Sequence, residues 1–361
     1  MPTLKRKTKT QPVIWEGPEG KGPKGGITQS LLSHWLCCRE RFRLMVIEGL
    51  CPANTFNHKI EYGQMWHKCE EAHAKGAIAN WDAPLTDYCR NLCRQYKLQA
   101  EQIQHWYNVC KTQFPLYVKY WSKHSKGNNQ APLMQEQTFD VPYSLPSGRV
   151  VRLRGKWDLV HLQGKGKNSV VYLQENKTKG DIAEEQLKRQ LGFDLQTMIY
   201  RIAMDHYPAK EWQEKKIAGV LYNVVRRPLS GGKGSIRKHQ PTKNNPAGES
   251  DEEFYSRLGE VIMEDPGYYF MRWQVEITQQ DIKRFEHEFL HNALEELCNW
   301  WHWVDSPAGR KDPFFDPIHW RLPYGIYNPL TEGGSSELDE YLATKSELGL
   351  VRTKELFKEL V

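Results

Sequence analysis

Two acidic residues and a lysine lie close together in mid-chain, in the segments RGKWDLV and VVYLQENK. Asp158 falls on one predicted strand, and Glu175 and Lys177 fall near the end of the next. Because side chains alternate along a strand, Glu175 and Lys177 share one face, and hairpin pairing can bring Asp158 beside them. Two converging carboxylates suit Mg²⁺ or Mn²⁺, and a neighbouring lysine can orient water and stabilise charge on a phosphorane-like transition state.

The same residue types also fit an ordinary surface hairpin, because Glu-x-Lys on an exposed strand and Asp in a hairpin are both common. A folded core normally excludes such a cluster, since unpaired buried charges are expensive. The neighbouring elements therefore have to separate the two interpretations.

The periodicity of the surrounding sequence predicts helices, then strands, then alternating elements. Short alternating or apolar runs at 134–143, 150–162 and 169–177 predict a three-stranded antiparallel meander, followed by further strands at 217–227 and 268–278. Helical periodicity is predicted at 28–49, 61–75, 86–123, 183–205, 251–264 and 279–304. This order predicts an α/β (α+β) fold with one central mixed sheet flanked by helices.

Charge is unevenly distributed along the 361 residues, whose formal net charge is +6. Residues 1–26 carry a local +4 and residues 226–250 a local +5, which leaves the remainder slightly acidic. Basic segments of this kind suit a polyanion, because neutralising phosphates releases counterions, although they also merely aid solubility in many proteins. Residues 1–26 are interpreted as a flexible arm, and 226–250 as a mobile loop.

The composition excludes several other classes of protein. No apolar run approaches the length of a membrane span, and the basic start has no apolar stretch of a secretory signal, so a cytoplasmic protein of a bacterial or phage-infected cell is expected. The eight cysteines lack paired C-x-x-C spacing, so reduced, partly buried thiols are expected.

The whole arrangement resembles the PD-(D/E)XK nuclease superfamily, and within it the RecB-type nuclease domains. Those show an Asp on one strand, Glu-x-Lys on the next, and a following helix with Gln-x-x-x-Tyr, here Gln196 and Tyr200. They also place a histidine on an upstream helix soon after a glycine, here His67 in YGQMWHKCEEAH. The N-terminal segment TQSLLSHWLCCRERFRLMVIEG follows the family's order of Ser, Cys, Arg, Phe and Gly.

The resemblance implies a role for each matched residue. His67, Asp158 and Glu175 would be metal ligands for Mg²⁺ or Mn²⁺, joined by the backbone carbonyl of Asn176. Lys177 would be the catalytic lysine. Gln196 and Tyr200 would position DNA or that lysine. Taken without the family, a satisfied histidine on a half-buried helix is the plainer interpretation of His67.

One departure from the family bears on cofactors. A branch of the family carries an iron–sulfur cluster on one cysteine at the position of Cys38 and three near the C-terminus, but no cysteine follows Cys298 here. Four thiolates are needed, so no iron–sulfur cluster is expected and Cys38 is interpreted as a packing residue.

The order of the elements and the charge of the basic loop suggest a division of the chain and a set of DNA contacts. We expect a flexible arm (1–26), a helical region carrying His67 (27–130), a restriction-endonuclease-like core (131–305) and a C-terminal extension (306–361). Candidate phosphate contacts are Arg41 and, in the basic loop 226–250, Arg226, Arg227, Lys233, Arg237 and Lys238.

The leading functional hypothesis is an exonuclease that processes DNA ends in recombination, repair or phage DNA metabolism. An endonuclease of restriction or defence type and a non-catalytic DNA-binding subunit are the alternatives. The expected partners are DNA, as duplex ends or single strand, a recombinase, helicase or annealing protein, and further copies of the chain, with no membrane. No P-loop motif is present, so ATP-driven unwinding would come from a partner.

Overall fold

The structure is a computed structural model, which describes residues 13–37, 39–52, 56–76, 80–124, 130–180, 182–192, 194–212, 214–228, 236–243, 246–305, 349–357 and 360. The helices are α1 (Gln29–Cys37), α2 (Arg39–Arg43), α3 (His58–Ala74), α4 (Ala83–Gln95), α5 (Ala100–His124), α6 (Glu184–Leu191), α7 (Leu195–His206), α8 (Asp251–Glu264), α9 (Pro266–Tyr269), α10 (Gln279–Phe285) and α11 (His291–Asp305). The strands are β1 (Leu50–Pro52), β2 (Gln130–Ser144), β3 (Val150–Gln163), β4 (Val170–Lys179), β5 (Ile217–Arg226), β6 (Phe270–Glu276) and β7 (Leu350–Arg352).

A five-stranded mixed sheet in the order β2-β3-β4-β5-β6 forms the centre of the molecule. Strands β2, β3 and β4 are an antiparallel meander, β5 lies parallel to β4, and β6 lies antiparallel to β5. The parallel pair requires a crossover, which α6 and α7 supply. The predicted meander and the predicted mixed sheet flanked by helices are both confirmed.

Two apolar cores lie on opposite faces of this sheet. One joins β2–β5 to α1, α7 and α11 through Trp35, Trp157 and Leu294. The other packs α3, α4, α5 and α8 together around Trp66 and Phe114. Helices α3 and α5 pack on the same sheet that carries Asp158. The predicted division into a helical region (27–130) and a core (131–305) stays a prediction.

Two of the predicted long helices are interrupted. The helix predicted at 86–123 is divided into α4 and α5 by a 3₁₀ turn at Lys97–Gln99. The helix predicted at 183–205 ends at Leu191 and starts again at Leu195, where Asp194 caps α7 by accepting from Thr197 N at 3.1 Å. This cap fixes where the first turn of α7 begins, and that turn carries Gln196.

The prediction of a flexible arm over residues 1–26 is wrong for residues 13–26, while residues 1–12 lie outside the described part. Trp15 is only 1% exposed, donates to Gly26 O at 2.9 Å and packs on Trp301 of α11. Arg152 and Arg154 of β3 donate to the carbonyls of Gly20 and Gly25 in this segment. The glycine-rich composition thus serves close packing on β3.

The C-terminal extension is described only over residues 349–357 and at residue 360, where β7 pairs antiparallel with β1. All seven described cysteines are free thiols, as predicted, and Cys38 lies outside the described residues. In the described part of the chain, no helix has the length and apolar character needed to cross a membrane.

Gly155 offers a test of the packing beside the acidic cluster. A Cβ at this position would lie 2.5 Å from Phe139 Cζ and 2.9 Å from Tyr200 Cε1. Gly155→Ala should lower the free energy of unfolding by roughly 1–3 kcal/mol, the usual cost of overpacking a core. Urea denaturation measures this change.

Gly259→Ala is the matched control, because its Cβ would meet no atom closer than 3.7 Å and it lies within α8. This variant should gain up to about 1 kcal/mol from helix propensity. Equal shifts for the two variants would contradict the packing described around Gly155.

Candidate active site

The sheet opens between β3 and β4 at the predicted acidic residues. The backbone pairing of β3 with β4 ends at Leu159–Gln174, whereas β4 continues to pair with β5 as far as Lys179. Just beyond this split, Asp158 Oδ2 accepts a hydrogen bond from Asn176 N at 2.9 Å. A side-chain carboxylate therefore replaces the β3 backbone as the partner of β4, which holds Asp158 between the two strand ends.

Glu175, Lys177 and Gln196 form a closed polar triangle beside this split. Lys177 Nζ donates to Glu175 Oε2 at 3.0 Å and to Gln196 Oε1 at 2.8 Å. Gln196 Nε2 donates to the same Glu175 oxygen at 2.9 Å. Each polar group is held by the other two, so the first turn of α7 fixes the position of the lysine over the sheet.

His67 lies on α3, which covers the face of the sheet opposite α7, and its side chain approaches Asp158. A Cβ at Gly63, one turn before His67 on α3, would lie 3.2 Å from Thr178 Oγ1 of β4, so the absent side chain permits close approach. His67, Asp158 and a third residue, Glu136, each offer a ligand atom within 4.8 Å of the others.

Glu136 was not predicted from the sequence as a site residue. It lies on β2 between Gln135, which pairs with Leu159, and Gln137, which pairs with Trp157, and so stands opposite Asp158. Its φ is +47°, in the left-handed region that costs a non-glycine residue of order 1–3 kcal/mol. A hairpin centred on Ser147 places Glu136 opposite Asp158, and this register could have been inferred from the sequence. The left-handed φ of Glu136 could not, because the sequence carries no signal for it.

Glu70 is a second residue that sequence reasoning missed. It lies one turn after His67 on α3, and its Oε1 accepts from Asn223 Nδ2 at 2.8 Å and Tyr117 hydroxyl at 3.0 Å. Asn223 Nδ2 also donates to Asn176 Oδ1 at 3.0 Å. This buried network ties α3 and α5 to β4 and β5, next to the residues that the family motif singles out.

The carboxyl groups at the split resist ionisation. Burial raises the pKa of Asp158 to about 6 and the pKa of Glu175 to about 7, and the negative charges of neighbouring acids add to both shifts. Burial alone would lower the pKa of Lys177, but the charges of Glu175 and Asp158 outweigh it and raise this pKa. The lysine is therefore cationic at neutral pH.

These residues fit a divalent cation. Carboxylate oxygens suit Mg²⁺ and Mn²⁺, and imidazole is a further ligand for transition metals such as Mn²⁺. Among the described residues, no group donates a hydrogen bond to the buried Glu175 Oε1, so a cation beside it would satisfy an otherwise costly acceptor. The raised carboxyl pKa values point the same way, because bound positive charge would stabilise the ionised forms.

The remaining predicted site residues have definite places. Tyr200, one turn after Gln196, packs edge-to-face on Phe139 and lies beside the Gln196 side chain, which its hydroxyl contacts. Asn176 donates its backbone N–H to Asp158. The role of its carbonyl as a metal ligand stays a prediction.

The predicted phosphate contacts are corrected in part. Arg226 is 7% exposed, stacks 3.9 Å over the Tyr268 ring and donates to Tyr268 O, and Arg227 is 5% exposed, so these two are wrong as exposed loop contacts. Arg226 is instead buried on Tyr268 of α9, and Arg227 lies over the Trp106 ring of α5. Lys238 is exposed but pairs with Asp251 at 2.7 Å, and Arg237 is exposed.

Two further predicted contacts cannot be placed. Lys233 lies outside the described residues, and so does the side chain of Arg41, whose backbone belongs to α2. Their contact with DNA stays a prediction.

A mixed sheet whose splayed strands present acids and a lysine, beside a cluster that can hold a metal ion, defines a metal-dependent hydrolase of nuclease type. A family model of the PD-(D/E)XK nuclease superfamily matches residues 27–303, and the chain belongs to this superfamily. A search of curated proteins gives no match. Membership implies a nuclease that uses divalent metal and binds DNA, and the RecB-type assignment stays a prediction.

Metal affinity should fall on acidification. Because ligands must be deprotonated to bind a cation, protons compete with it once the pH drops below the raised pKa values of Glu175 and Asp158, about 7 and 6. Titration calorimetry with Mn²⁺ should show affinity falling by about 10- to 100-fold from pH 7.5 to 5.5. An affinity independent of pH in this range would contradict these shifts.

Glu136→Gln tests the residue that the sequence did not reveal. Removing its charge should weaken Mn²⁺ binding by at least about tenfold, because one of three clustered ligand atoms is replaced by a weaker donor. Glu288→Gln, at an exposed glutamate that pairs with Arg284, is the matched control and should bind as the wild type does. Identical affinities for both variants would exclude Glu136 from the site.

Proposed function

We propose that this protein is a DNA exonuclease of the RecB type, which processes DNA ends in recombination, repair or phage DNA metabolism with Mg²⁺ or Mn²⁺. One observation carries the proposal: Asp158, Glu175 and Lys177 meet where β3 leaves β4, with His67 contributed from α3. Carboxyl groups with strongly raised pKa values beside charged partners are typical of functional sites, which supports this proposal.

The residues of the chain divide the chemical work. Lys177 is cationic and held in place by Glu175 and Gln196, so it can donate to a phosphate oxygen and stabilise the negative charge that develops during phosphodiester cleavage. A divalent cation held by His67, Glu136 and Asp158 would supply Lewis-acid polarisation of the phosphate. Glu175 is proposed to join these two groups, since it contacts the lysine directly and no described group donates to its second, buried oxygen.

Gln196 and Tyr200 act as positioning residues in this proposal. Gln196 contacts both Lys177 and Glu175, so its loss would release the lysine rather than remove charge. Tyr200 borders Gln196 and packs on Phe139, which restricts the direction of the amide. The carbonyl of Asn176 is proposed as a further metal ligand.

Two alternatives use the same fold. An endonuclease of restriction or defence type would employ the same residues on internal bonds. A non-catalytic DNA-binding subunit would keep the fold without the reaction, but Asp158, Glu175 and Lys177 are all present and in contact, directly or through Asn176, which disfavours it. A recombinase, helicase or annealing protein, or further copies of the chain, are proposed partners.

Substitution of the site residues tests the activity. With Mn²⁺ and linear DNA, Lys177→Ala and Asp158→Asn should each lower the cleavage rate at least about 100-fold, the scale of losing one transition-state charge contact. Lys283→Ala, an exposed lysine on α10, is the control and should cleave at the wild-type rate. If cleavage survives both site substitutions, the assignment of these residues is wrong.

The form of the DNA decides between exonuclease and endonuclease. We expect linear duplex or single strand to be degraded from an end, while covalently closed circles remain intact. Circles that are cut at a rate similar to linear DNA would favour the endonuclease alternative. Comparison of 5′- and 3′-labelled strands then gives the polarity.

A further inference from the structure

A cavity of about 450 Å³ adjoins the proposed metal cluster, and Glu136 and Asp158 form part of its wall. Helices α3 and α5 border it on one side, strands β3 and β4 on the other, and Arg272 of β6 reaches it from the edge of the sheet. Its volume lies within the roughly 300–1,000 Å³ usual for small-ligand sites.

The α5 side of the cavity carries aromatic rings and a fixed guanidinium. Arg272 stacks 4.0 Å from the Trp121 ring, and its Nε and Nη2 donate to Asn223 Oδ1 and to the Tyr117 hydroxyl, each at 3.2 Å. These contacts hold the guanidinium plane in one orientation. Unpaired bases stack on such aromatic and guanidinium surfaces whatever their sequence.

The sheet side of the cavity contributes the buried His161, whose ring stacks on Tyr172. His161 is 1% exposed, and neither ring nitrogen has a hydrogen-bond partner within the described part of the chain. Burial, with the charge of Arg272, lowers the pKa of His161 to about 4, so the ring is neutral and offers one donor and one acceptor. Leaving both ring nitrogens unsatisfied is costly, and a ligand bearing both donors and acceptors would offset that cost.

We propose that this cavity binds one unpaired nucleotide of the substrate strand, with its base at Trp121, Arg272 and His161 and its phosphate towards Asp158. The inference rests on the proposed nuclease function and specifies its substrate. A base inside a duplex is not accessible to such a cavity, so the nucleotide has to be unpaired before it enters. The enzyme therefore acts on single strands and on ends that have opened.

Strands that lack one terminal base test this inference directly. The Lys177→Ala protein, which keeps the cavity residues, is titrated with Mn²⁺ present into a labelled short single strand, and fluorescence anisotropy gives the affinity. The same strand with an abasic residue at its 5′ end, or at its 3′ end, is then compared. One of the two abasic strands should bind about 5- to 150-fold more weakly, which corresponds to the stacking of one base.

Variants of the cavity then locate the effect. In Trp121→Leu and Arg272→Gln, made in the same background, the intact strand should bind nearly as weakly as the abasic one. Lys119→Ala, an exposed residue of the same helix α5 outside the cavity lining, should keep the full difference. Thermal unfolding checks that each variant is folded, and the comparison in the unmodified cavity does not depend on any cavity variant.

The outcomes separate this inference from the nuclease proposal. If neither abasic end weakens binding, or if Trp121→Leu and Arg272→Gln keep the wild-type difference, the cavity does not hold a base. If the base matters for binding but the wild-type protein cleaves no DNA with Mn²⁺, the cavity proposal stands and the nuclease proposal fails. If the wild-type protein cleaves DNA but removal of a terminal base does not weaken binding, the nuclease proposal stands and the cavity proposal fails.

Discussion

The site depends on one electrostatic constraint: Asp158, Glu175 and Glu136 converge at a strand split where little water can screen them. The raised pKa values of Asp158 and Glu175 show that ionising these two groups is costly, and the pairing of Lys177 with Glu175 and of Lys156 with Glu136 offsets only part of the repulsion among the three acids. Either protons or a cation must complete the balance, because buried like charges cannot all persist unpaired. A divalent ion beside His67 satisfies this constraint and at the same time provides a centre for phosphodiester chemistry.

The rest of the fold holds these acidic side chains close together despite the repulsion between their charges. The continuous pairing of β4 with β5 keeps Glu175 and Lys177 fixed after β3 has turned away. Gly63 allows α3 to lie close to β4, and the Asp194 cap starts α7 where Gln196 can reach the lysine. The buried contacts of Glu70 with Tyr117 and Asn223 then bind helices α3 and α5 to the sheet at the same place.

Much of this could be predicted from the sequence, because strand alternation and helix periodicity are local properties. The meander, the mixed sheet and the positions of Asp158, Glu175, Lys177 and His67 all followed from such patterns and from the family motif. Glu136 was missed, because its place depends on hairpin register and on a left-handed backbone conformation. The packed state of residues 13–26 was also missed, since a glycine-rich segment resembles a linker until its partner strand is known.

The net charge of residues 226–250 did not predict which of the basic side chains there are exposed. Arg226 and Arg227 are basic, yet they lie at the end of a buried strand, where Arg226 stacks on Tyr268 of α9 and Arg227 lies over Trp106 of α5. Burial is decided by tertiary packing, which net charge does not report. The cavity beside the cluster was equally hidden, as it brings together residues from α3, α5, β3 and β6.

The most direct test of the central claim is a crystal structure of the protein soaked with Mn²⁺, in which anomalous scattering locates the ion. The account predicts one strong peak bounded by His67, Glu136 and Asp158. No peak at this place, or a peak elsewhere with these side chains unchanged, would contradict it.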